Sequence, residues 1–94
     1  MQIPDAMRSL MAGFHQDVFL IEPTLDGATR HAASRSTHAQ LVESKQFLTS
    51  LLDGSHDQAE IREVWDELPR DIRIEDDQQM IAFLKHLRDW LPRS

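Results

Sequence analysis

Apolar positions recur at helical spacing along most of this chain. Met7, Leu10, Met11 and Phe14 lie three and four residues apart behind Pro4, the pattern of a helix with one buried face. Proline suits the start of such a helix, because its missing N–H has no partner to lose there. Gly13 predicts where that helix stops. The run Val18-Phe19-Leu20-Ile21 is short and lacks a period. It predicts extended chain lying on the core, although no second segment offers it a partner strand. Residues 24–34 predict a weaker second helix. Thr24 can cap it, Gly27 and Thr29 lower its propensity, and Ala28, Ala32 and Ala33 permit close packing.

The second half of the chain is patterned more strongly. Thr37 with Gln40 makes a capping box, and Leu41, Val42, Phe47, Leu48, Leu51 and Leu52 follow with a period near that of a helix. Gly54 predicts the stop. Ser55 with Gln58 fits the same box, and Ile61, Val64, Trp65 and Leu68 give the next helix its apolar arc before Pro69. Residues 70–76 alternate briefly between polar and apolar, which fits a short strand or, more economically, a connector. Asp76 or Asp77 caps a last helix carrying Met80, Ile81, Phe83, Leu84, Leu87, Trp90 and Leu91. Lys85, Arg88 and Arg93 fall towards its negative end, where the helix dipole favours them. Stripes of this kind close most simply as an all-α, compact single-domain bundle of four to five short helices over residues 1–94. Trp65, Trp90, Met7, Met11 and Met80 belong to those stripes and read as packing before they read as a binding surface.

Length agrees with one domain: 94 residues bury roughly two-thirds of the unfolded surface. There is no cysteine, which removes disulfides, thiolate metal sites and cysteine nucleophiles. Neither a signal peptide nor a membrane span is visible, so a cytoplasmic protein is expected. Net charge is −6, and it is unevenly spread. Residues 53–77 hold ten acids against three bases, while the flanking segments are nearly neutral. Such a surface repels nucleic acid and anionic membranes and attracts basic partners.

The stretch Gly13-Phe14-His15-Gln16-Asp17-Val18-Phe19 raises the question of chemistry. On a helix His15 and Asp17 would point about 200° apart; on extended chain they share a face. Acyl transfer also needs a nucleophile and an oxyanion hole, and no serine here sits in an elbow pattern. Nor is there a glycine-rich phosphate loop. His15, His31, His38, His56 and His86 form no chelating pair on a predicted helix, so no metal and no cofactor is expected. A structural role fits better, with Asp17 accepting backbone N–H groups and His15 bridging to a carbonyl. A small hydrolase or metal-dependent enzyme built on His15 and Asp17 is the competing possibility.

The string Phe14-His15-Gln16-Asp17 near the N-terminus of a small acidic chain resembles the YFHQDW signature of CdiI-type immunity proteins from bacterial contact-dependent growth inhibition systems. The order of elements is similar too: a weak helix, a leucine-rich helix, a short acidic helix and a last helix with a Trp-Leu element, here Trp90-Leu91. Val18 stands where that family usually has tryptophan, and the link before the last helix reads Pro-Arg-Asp-Ile-Arg-Ile-Glu-Asp. These departures suggest a different cognate partner. The resemblance implies a non-enzymatic protein that binds and neutralises the C-terminal toxin domain of a sibling's surface effector, often a nuclease. A helical adaptor or regulatory subunit with another basic partner is the alternative.

Charge offers a candidate surface. With the arc from Ile61 to Leu68 buried, Glu60, Glu63 and Glu67 share one flank and Asp66 lies beside them. Glu63 and Glu67 are like charges one turn apart, an arrangement that costs about 0.2–0.5 kcal/mol. Arg62 can meet Asp66, and Asp53, Asp57, Glu75, Asp76 and Asp77 extend the negative charge. Either this is an ordinary solvated face, or it docks a basic protein. The candidate contact residues are Asp57, Glu60, Glu63, Asp66 and Glu67.

Overall fold

The computed structural model describes residues 2–15, 18–69 and 72–93, with Phe19 through its backbone only. Among these residues the chain is all-α: five helices of eight to fourteen residues and one four-residue helical turn, with no strand. In order they are α1 (Asp5–Ala12), α2 (Val18–Ile21), α3 (Leu25–Ala33), α4 (His38–Leu51), α5 (Gln58–Glu67) and α6 (Asp77–Trp90). None is long and apolar enough to cross a membrane.

Four of the five helices of two turns or more begin at a side chain that accepts a first-turn N–H; α1 does not. Pro4 precedes α1, and its carbonyl accepts Met7 N and Arg8 N. Thr24 Oγ1 accepts Gly27 N at 3.0 Å, and Asp76 Oδ1 accepts Gln79 N at 2.9 Å. At α4 the box closes both ways. Gln40 N donates to Thr37 Oγ1, and Thr37 N donates to Gln40 Oε1. These caps are expected from the sequence. The start of α5 is not. Ser55 and Gln58 do not cap it; Asp57 and Glu60 form the box instead. Ser55 is already committed, because its N–H and its hydroxyl both donate to Asp53 Oδ1. Gly54 sits in that turn with φ +98°, a backbone region that costs a side chain about 1–2 kcal/mol.

The run from Val18 to Ile21 is the second correction. It is a helical turn, not extended chain. Val18 is fully buried, but Leu20 and Ile21 are 83% and 57% exposed, so only its first residue is seen to lie on the core. Residues 72–75 form a connector.

The core draws on every long helix: Met7, Leu10 and Met11 from α1, Phe47, Leu48 and Leu51 from α4, Ile61, Val64 and Trp65 from α5, and Met80, Leu84 and Leu87 from α6, with Ala28 and Ala32 from α3. Phe83 links the two sides. Phe14 and Trp65 each meet its ring edge-on, at 5.3 and 5.6 Å between centroids. Two cations lock the frame. Lys45 Nζ of α4 donates to the Arg88 and Leu91 carbonyls at the end of α6, where the dipole is negative. Arg62 of α5 donates to Asp77 Oδ1 and to the Ile74 and Glu75 carbonyls, tying the connector to the start of α6.

Candidate functional site

The acidic face is built on α5 and the loop before it. Asp57 Oδ1 accepts Glu60 N at 2.8 Å, and Glu60 Oε1 accepts Asp57 N at 3.2 Å. The other Glu60 oxygen lies 3.2 Å from His56 Nδ1. The His56 contact, followed by the Asp57 backbone N–H, holds the Glu60 carboxyl below the ordinary glutamate value. The Ser55 hydroxyl and N–H do the same to Asp53. Asp57 and Glu60 therefore serve the architecture, because together they set where α5 begins.

Glu63 and Glu67 differ. Both are exposed, and among the described residues no cation pairs with either carboxylate. With Glu60 they border a small cleft of about 60 Å³, lined also by His56 and by the buried Leu51 and Val64. Helical spacing explains the grouping, since positions 60, 63 and 67 fall on one side of α5. Asp66 turns to the other flank, beside Arg62, Arg73, Ile74 and Glu75. The five candidates thus divide: Glu60, Glu63 and Glu67 share one cleft, Asp57 stands at its helical origin, and Asp66 faces a separate depression.

The N-terminal motif is divided as well. Phe14 is fully buried in the core. His15 is half-buried, and its Nε2 lies 3.5 Å from Nε2 of His31 on α3. The His15 carbonyl accepts Val18 N at 3.0 Å, which starts the turn of α2. Gln16 and Asp17 lie outside the described residues, as does any pairing of His15 with Asp17. Sequence reasoning does not pair His15 with His31, because sixteen residues separate the two and no local spacing joins them. Leu20 and Ile21 are a second omission. They read as core in an unbroken apolar run, yet they form the exposed large apolar pair among the described residues. Comparison of the chain with protein-family models, with curated proteins and with solved structures finds no match.

Proposed function

We propose that this chain is an immunity protein of the contact-dependent growth inhibition type. It binds the C-terminal toxin domain of its cognate effector, a basic domain of nuclease type, and neutralises it by protein–protein contact without chemistry of its own. The Phe14-His15-Gln16-Asp17 string supports the class of function. The observation that carries the choice of surface is the Glu63–Glu67 pair: two exposed carboxylates one turn apart, neither in an ion pair among the described residues, although Arg8 donates to the Glu67 carbonyl. Stability alone favours opposite charges at that spacing.

The physical route follows from the charge. A cleft that attracts phosphate carries lysine and arginine, and a clustered negative face steers towards it and speeds encounter. On contact, a partner's cationic group meets the carboxylates of Glu60, Glu63 and Glu67. Carboxylates held there occupy the positions that substrate phosphates need.

Co-expression with the polypeptide encoded immediately upstream is the test. The proposal expects the two chains to co-purify and growth of the toxin-bearing cell to be restored. Co-purification with a basic protein that is harmless to the cell is what the adaptor alternative expects. Turnover of a substrate by this chain alone, lost when His15 and Asp17 are both changed to Asn, contradicts both.

A further inference from the structure

The side of the molecule formed by the end of α1 and by α3 holds a second constellation, which shares no residue with the acidic cleft. We propose that His15 and His31 chelate a divalent transition-metal ion of the zinc, nickel or copper type.

The geometry is that of a chelate already in position. A tetrahedral ion about 2.0–2.1 Å from each imidazole nitrogen holds those nitrogens about 3.3 Å apart, and a square-planar or octahedral ion holds them about 2.9 Å apart. Here the two Nε2 atoms are 3.5 Å apart. The ring centroids are 5.5 Å apart, about 2 Å more than the two nitrogens, so the Nε2 edges of the rings face each other. That separation is at the outer limit of hydrogen-bonding distance, and a bond between the rings needs one Nε2 to carry the proton and the other to accept it. An ion that displaces that proton breaks little and draws both rings in by only a few tenths of an ångström.

Both rings stand on fixed backbone. His15 follows the buried Phe14, whose N–H donates to the Met11 carbonyl. His31 lies in the last turn of α3, and its carbonyl accepts both the N–H and the hydroxyl of Ser34. In front of them opens a cavity of about 280 Å³, bordered also by Ser9, Gly13, Ser34 and Arg35. That space admits the waters an open coordination sphere needs. Among the described residues no group of three or more His, Asp or Glu side chains converges, so His15 and His31 are the two protein ligands assigned here. The cavity lining contains no carboxylate and one arginine, which disfavours calcium and magnesium and leaves ions that prefer imidazole nitrogen.

The test is a calorimetric titration of the tag-free chain with nickel chloride and with zinc chloride at neutral pH. One equivalent should bind saturably and be released by excess EDTA. Replacing His15→Gln or His31→Gln should weaken binding about tenfold or more, while His38→Gln and His86→Gln leave it unchanged. Circular dichroism checks each variant; should His15→Gln fail to fold, His31→Gln alone decides. The absence of saturable binding at millimolar metal overturns the assignment. So does binding that survives His31→Gln at full strength in a folded protein.

Discussion

Gly13 shows how one atom's worth of space can set an interface. Its backbone is ordinary right-handed, with φ −73°, so conformation does not require glycine there. Space does: a Cβ at position 13 would lie 2.6 Å from the Ala32 carbonyl oxygen and 2.7 Å from its Cα. Both atoms are backbone, so α3 itself would have to move away. Gly13→Ala should therefore destabilise the fold by about 1–3 kcal/mol, read as a lower urea midpoint with little change in slope. The glycine is legible in the sequence as a helix end, and α1 does end at Ala12. Its reason is not, because close approach between distant segments leaves no local mark. Glu60 supplies a pH-dependent counterpart. Its carboxyl titrates below the usual value, chiefly through His56. A depressed acid adds stability that is complete above the unfolded value, near 4.5, and that fades as pH falls through the folded value. Gln keeps the capping box but loses the charge. Wild type should thus exceed Glu60→Gln in stability at pH 6, and the gap should close as pH drops below about 4.5. Urea midpoints measured across that range check it.

Among the helices, the start of α5 is the most instructive. Two overlapping strings, Ser55 to Gln58 and Asp57 to Glu60, both offer a capping-box pattern. The chain uses the second, since Asp53 has already engaged Ser55. Asp57→Ala should cost about 1 kcal/mol, whereas Ser55→Ala should cost less, since its backbone N–H still reaches Asp53. Thermal midpoints of the two variants, measured side by side, test that order. The turn of α2 is illegible for another reason. Four apolar residues in a row carry no period that separates strand from helix, and only the placement of Val18 in the core turns Leu20 and Ile21 outward. By contrast α4 and α6 combine a cap with several turns of apolar repeats, and the structure follows both. Their mutual anchor has no local signature. Lys85 and Arg88 sit near the end of α6, yet it is Lys45 of α4 that donates to the Arg88 and Leu91 carbonyls.

At the scale of the molecule, ten of its sixteen acids fall within residues 53–77, and the fold uses seven of them in two ways. Asp53, Asp57, Glu60, Asp76 and Asp77 bond to backbone, cap helices or pair with Arg62. Glu63 and Glu67 are left facing solvent. Periodicity alone places Glu60, Glu63 and Glu67 on one flank. It does not separate the acids that hold the fold together from those that do not, because that division depends on which carboxylates the loops and Arg62 engage. The proposed docking of a basic toxin domain on this face would make association with that domain electrostatically steered. The deciding measurement is the association rate as a function of salt, for wild type and for the double reversal Glu63→Lys with Glu67→Lys. The account predicts a wild-type rate that falls steeply with ionic strength and a folded double variant that associates about tenfold more slowly, or worse, at low salt. A rate that is flat with salt and unchanged by the reversal would contradict it.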